Sequence, residues 1–134
     1  MKQLKIIFTV LAAVVILVST SACSDDFDGD WDPMEWKYSS KVAQSKEVPA
    51  DGADFELTCT NYGLFWINMV NDRYLETPEG RKGCSIEGVC EVTLKHNVIH
   101  VIIEPNTTDS TRTISIDVSA GDTGDYFKWI QSSK

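Results

Sequence analysis

Basic residues are scarce in this chain: twelve Lys and Arg stand against twenty Asp and Glu, a formal charge of −8. Nucleic acids and anionic lipid headgroups are bound through basic patches, so this balance argues against both as partners. Histidine is scarcer, with only His96 and His100. Long apolar runs are missing as well. The run Ile6–Val18 is thirteen residues, short of the roughly 20 a spanning helix needs. The chain has no Gly-x-Ser-x-Gly elbow, no His-Glu-x-x-His and no Gly-rich phosphate loop. No segment shows a helical stripe of apolar residues. These absences argue against an enzyme, and the expectation is a non-catalytic chain without a cofactor or metal.

What is present begins at the N-terminus. Lys2 and Lys5 precede the apolar run, which ends in the small residues Ser19-Thr20-Ser21-Ala22 before Cys23. A basic start, a short apolar segment and a small-residue cleavage site mark a secretory signal peptide. Ser-Ala-Cys at its end resembles a bacterial lipobox, which implies cleavage before Cys23 and a diacylglycerol on its thiol. Acyl chains contribute about 0.8 kcal/mol per buried methylene, so such an anchor would hold the protein at a membrane. The resulting division is a signal peptide over 1–22, a lipidated acidic tether over 23–33 and one domain over 34–134. Lys2 and Lys5 are the only charged residues before Cys23, so twelve basic residues less two against twenty acidic ones leaves about −10 on the mature chain. Ser24-Asp25-Asp26, followed by Asp28 and Asp30, resembles the export signal that sends Bacteroidetes lipoproteins to the outer face of the outer membrane.

The domain reads as strands. Phe55, Leu57 and Cys59 alternate with Glu56, Thr58 and Thr60, the period-2 pattern of a half-buried strand. Leu64–Val70 is apolar on both faces and is expected to be central, with Trp66 in the core. Residues 71–89 form a long loop or an excursion with a short strand. Cys90–Leu94 alternates again, His96-Asn97 is a tight turn, and Val98–Glu104 follows. Ile114, Ile116 and Val118 alternate with Thr113, Ser115 and Asp117, and Ala120–Gly124 is a hairpin loop. The closing strand, Tyr126–Gln131, carries Phe127 and Trp129 on one face. About seven short strands at this spacing predict an all-β, antiparallel β-sandwich.

EVPADGADFELTCTNYGLFWI (47–67) and RTISIDVSAGDTGDYFKWIQ (112–131) resemble the opening strands and closing hairpin of a BACON domain. The pattern positions are Asn61, Trp66, Arg112, Gly121 and Gln131. Asn71–Val89 departs from it, and Phe127 and Trp129 stand where smaller aliphatics are usual. The resemblance implies an immunoglobulin-like sandwich on a secreted or lipid-anchored protein, serving carbohydrate binding or acting as a spacer. With no second module expected for this domain to hold off a surface, binding or assembly is the expected role. The expectation is a surface lipoprotein that binds extracellular glycan or docks on an outer-membrane nutrient-uptake assembly; the alternative is a structural or adhesive domain without a small ligand.

Aromatic rings near loops are the candidate contacts, because flat apolar rings complement sugar faces. Tyr62 and Tyr74, with the 71–89 loop, are expected to carry any binding surface; Trp129 is expected in the core. Cys59, Cys84 and Cys90 allow one disulfide, with Cys84–Cys90 the easiest pair, unless all three are buried hydrophobes. Asp26, Asp28, Asp30 and Asp32 miss the glycine and glutamate spacing of a calcium loop. Cys84, Cys90, His96 and His100 lack the spacing of a zinc site. Asp109-Ser110-Thr111 looks like the O-glycosylation acceptor of exported Bacteroidetes proteins, which would modify Ser110.

Overall fold

The structure, a computed structural model, describes residues 31–134. The expected signal peptide, the expected lipidation residue Cys23 and the expected export residues Ser24, Asp25 and Asp26 lie outside the described residues. Alternation builds most of the rest. Phe55, Leu57 and Cys59 turn inward from β3 (Ala53–Cys59), and Ile99, Val101 and Ile103 from β8 (Val98–Ile103). Cys90 and Val92 do so from β7 (Cys90–Lys95). Ile114, Ile116 and Val118 line β9 (Arg112–Ala120), and Phe127 and Trp129 line β10 (Thr123–Gln131). Burying these inward faces against each other gives a two-sheet sandwich.

The described residues hold ten strands rather than seven. The additions include β1 (Trp36–Tyr38), β2 (Glu47–Val48), β5 (Arg73–Tyr74) and β6 (Gly83–Ile86), which are edge strands too short to display a period. One sheet has the order β1-β3-β8-β7-β6; the other is β2-β10-β9 followed by β4 (Trp66–Val70) and β5. Pairing is antiparallel except between β2 and β10, which run parallel with Gln131 opposite Val48. A one-turn helix, α1 (Lys41–Ser45), also departs from the strand-only expectation. The Ser40 side chain caps it by accepting from the Ala43 amide. Five residues are too few for a helical stripe. None of the described helices is long and apolar enough to cross a membrane.

Trp129 centres the core at 0% exposure. It stacks on Phe127 at 5.6 Å, tilts against Phe55 at 5.2 Å, and its indole N–H donates to the Ala43 carbonyl. Trp36 meets Phe65 and Phe127 edge-on. The Lys46 ammonium, at the left-handed C-cap of α1, is buried without a hydrogen-bond partner and lies 4.6 Å from the centres of the Tyr38 and Trp129 rings. Its burial lowers its pKa, and the Asp125 carboxylate partly opposes that shift.

Two expectations are corrected in this packing. Trp66 is not in the core: Phe65, Ile67 and Val70 take the inward positions, and Trp66 is half-buried opposite Ser119 on the outer face. The strand carrying it lies second from an edge. Cys84 and Cys90 are not joined, and Cys59 is free as well. Cys84 opposes Val92 while Cys90 opposes Ile86, so the two thiols are diagonal neighbours. Diagonal Cα atoms stand about 7–8 Å apart, beyond the usual span of a disulfide.

The sandwich is closed by a buried amide. Gln131 is 0% exposed, and its Nε2 donates to the carbonyls of Pro49, Ala50 and Glu104. Its Oε1 accepts from Arg112 Nε at 2.6 Å, and the same guanidinium donates to the Gly88, Glu104 and Pro105 carbonyls. Arg112 and Gln131, two positions of the BACON-like pattern, thus tie both sheets together at one end.

Candidate functional site

The outer face of the second sheet gathers the exposed rings. Between Ile67 and Met69 the β4–β9 register shifts, so Asn68 is an extra residue in β4. Such a bulge re-aims a side chain. Asn68 Nδ2 donates to Asp117 Oδ1 at 2.9 Å and to the Ser119 hydroxyl at 3.0 Å. Register then lays one row across four strands. Tyr126 of β10 opposes Asp117 of β9, Asp117 opposes Met69 of β4, and Met69 opposes Tyr74 of β5. Tyr126 is 54% exposed and Tyr74 72%.

Two adjoining concavities flank the middle of this row. Tyr74, Met69 and Arg81 line one of about 450 Å³; Tyr126, Ser119 and Asp122 line another of about 520 Å³. Asn68 and Asp117 belong to both. The arrangement is an open trough with a ring at each end and hydrogen-bonding groups between. Asp117 is held through one oxygen, and a carboxylate can accept from several donors. Chemically this can stack on apolar faces and orient hydroxyl or amine groups.

The β4–β5 hairpin that presents Tyr74 is made by Asn71 and Asp72, both left-handed, at φ 47° and 61°. Two such residues form the mirror-image turn that suits hairpin twist. Asn71 Oδ1 also accepts from the Ser115 amide at 2.7 Å, pinning the turn to β9. The predicted loop 71–89 therefore opens with a rigid hairpin.

Tyr62 is placed elsewhere. It precedes β4, whereas Tyr74 follows it, and it lines neither concavity. The Tyr62 hydroxyl donates to the Asp32 carbonyl at 2.7 Å and its ring stacks on Trp31 at 6.3 Å. Asn61 holds the same segment, donating to the Pro33 carbonyl and accepting from the Glu35 amide. Tyr62 is thus a clamp on the chain entering the domain. Burial and the nearby Asp32 carboxylate raise its phenol pKa. Ser110 is exposed in the connection between β8 and β9.

A larger concavity, about 770 Å³, lies on the outer face of the other sheet and is lined by Glu56, Thr93, Lys95, His96 and His100, among others. It presents no Trp, Tyr or Phe ring, and its His100 Nε2 is engaged with Asp54 Oδ1 at 2.6 Å. We therefore place the site on the ring-flanked trough. Cys59 turns inward while His100 turns outward, so they face opposite sides of their sheet. Burial and the neighbouring Cys84 push the Cys90 thiol up to about 11, leaving it protonated and a poor nucleophile. Among the described residues, no three His, Cys, Asp or Glu side chains gather as a metal would need.

A two-sheet β-sandwich with an aromatic-flanked polar face is the class of protein these observations define. No protein-family model matches the chain, and no curated protein does. It is similar to a protein from Bacteroides thetaiotaomicron whose structure was determined by NMR, at 31% identity and a TM-score of 0.68. The similarity covers 83% of this chain and 96% of that one. The chain belongs to that protein's family.

Proposed function

We propose that this protein is a lipid-anchored surface lipoprotein whose BACON-like sandwich binds extracellular glycan without catalysis. The observation that carries the reading is the row Tyr126–Asp117–Met69–Tyr74, with an exposed ring at each end and, between them, the Asp117 carboxylate hydrogen-bonded to the bulged Asn68 amide. Rings supply flat apolar area for stacking, and the polar pair supplies orientation. Support for the address comes from the lipobox-like residues ending at Cys23, the acidic Ser24-Asp25-Asp26 start, and the relative from a Bacteroides species.

The test is retention of the soluble 24–134 chain on affinity gels and glycan arrays. Binding to a glycan that is lost in Tyr126→Ala and Tyr74→Ala, with folding intact by circular dichroism, is the expected result. Flat retention across chemically diverse glycans would overturn the reading. Capture of an outer-membrane uptake assembly in a pull-down, in place of any glycan, would redirect it to docking.

A further inference from the structure

We infer that the trough takes the interior of an extended, uncharged glycan chain lying across the strands, and rejects glycans bearing carboxylate or sulfate groups. This rests on the glycan-binding reading and specifies its ligand. The first support is spacing. Tyr126 and Tyr74 are separated by three inter-strand steps, about 14 Å at about 4.8 Å each. A single sugar ring cannot touch both rings, whereas an oligosaccharide running perpendicular to the strands can.

The second support is shape. Both concavities share Asn68 and Asp117, so the trough is continuous from one ring to the other. The rings at its two ends, Tyr126 and Tyr74, are 54% and 72% exposed, so both ends of the trough open to solvent.

The third support is charge. The half beneath Tyr126 is lined by the carboxylates of Asp117 and Asp122, and no Lys or Arg lines it; Asp125, at its edge, turns its own carboxylate inward to accept from Trp36 Nε1. The first basic residue further along β10, Lys128, stands in a different row, opposite Ser115. At the other end Arg81 and Glu76, one of each sign, both line the trough, and Arg81 Nε donates to the Leu75 carbonyl. Like charges brought together at a desolvated contact cost affinity, so an anionic sugar over Asp117 is disfavoured. Hydroxyl groups are not, because the carboxylate accepts from them.

The closing experiment compares the soluble mature chain on gels of neutral polysaccharides (glucan, mannan, xylan, galactan) and of polyuronate and sulfated polysaccharides. Oligosaccharides of increasing length from the retained polymer are then titrated by calorimetry. Retention is expected only on a neutral polymer. Affinity should rise with length until both rings are reached, and Tyr126→Ala or Tyr74→Ala should then cost about tenfold for the long ligand, equivalent to about 1.4 kcal/mol. Asp122→Asn is expected to raise retention on polyuronate relative to the native chain.

Three results would overturn the inference while leaving glycan binding standing. One is retention of polyuronate or sulfated glycan that is lost in Tyr126→Ala. Another is a monosaccharide binding as tightly as the longer chain. The third is anionic retention indifferent to Asp122→Asn and equal to neutral retention. Absence of binding to every gel would instead remove the glycan reading itself.

Discussion

Gln131 offers the sharpest test of how this sandwich is held together, because its amide is fully buried and every contact of it is defined. Replacing it with Ala removes the Nε2 donations to Pro49, Ala50 and Glu104 and the acceptor for Arg112 Nε. The three carbonyls are not orphaned. Pro49 also accepts from the Gly52 amide, Ala50 from the Asn106 amide and Glu104 from Arg112 Nη2. The group left unpaired is Arg112 Nε. A hydrogen bond to a charged group is worth about 1.5–3 kcal/mol and each neutral one about 1 kcal/mol. With two amide hydrogens to lose and a cavity to leave, the cost is about 3–5 kcal/mol, against a total stability of about 5–15 kcal/mol for a domain. Gln131→Leu keeps the volume and should recover the cavity part. Gln131→Glu should be worse than Leu at neutral pH, because its second oxygen would face three carbonyl oxygens. Urea unfolding followed by tryptophan fluorescence measures these differences. At about 4–8 °C per kcal/mol, the Ala variant should lose more than about 12 °C in Tm. A loss below about 1 kcal/mol would refute the closure argument. So would a Gln131→Ala, Arg112→Ala cycle whose effects simply add, since contacting partners should couple.

Three further outcomes are expected. Lys46 has a folded pKa below its unfolded value of 10.5, so the unfolded chain binds the extra proton between the two values and stability rises with pH across that window. Lys46→Met removes this slope; its stability lead over, or deficit from, the native chain should drift in the native chain's favour as pH approaches 10.5, and parallel profiles would contradict the buried ammonium. Cys90 has the opposite sign: its folded pKa of about 11 exceeds the unfolded value of 9.0, so its contribution is complete below pH 9 and is lost as pH rises through about 11. Alkylation followed by mass spectrometry should accordingly label half-buried Cys84 before Cys90 and Cys59, and early labelling of Cys90 would count against its burial. Gly121 is left-handed at φ 59°, and a Cβ there would stand 2.5 Å from Trp31 Cη2; Gly121→Ala should cost about 1–2 kcal/mol of strain and displace Trp31, seen as a shift in its fluorescence, with an unchanged spectrum refuting the contact.

Where the chain alternates over six residues or more, its structure is legible from the residues alone. That holds for β3, β7, β8, β9 and β10, whose inward sets are the expected ones. It fails where the signal is shorter than the period. β2 and β5 have two residues each and α1 has five, less than two turns of any pattern. Trp66 fails for another reason: an apolar run does not say which of its faces is inward, and the extra residue at Asn68 breaks the alternation that would have told. The site divides along the same line. Alternation already turns Asp117, Ser119 and Tyr126 outward, because their neighbours Ile116, Val118 and Phe127 are the apolar set. It cannot say that Tyr126 stands across from Asp117 and three strands from Tyr74. That follows from register between residues 43 to 52 positions apart, fixed by the tight Gly121-Asp122 and Asn71-Asp72 turns and by the bulge. Tyr62 and Tyr74 look equivalent in sequence, each beside a turn. Only the pairing separates them, tying Tyr62 to Asp32 and leaving Tyr74 to face solvent in line with Tyr126. Shifting β9 by one residue against β10 would turn Asp117 inward and take it out of the row. Whatever the face binds, its specificity is therefore written in the turns as much as in the rings.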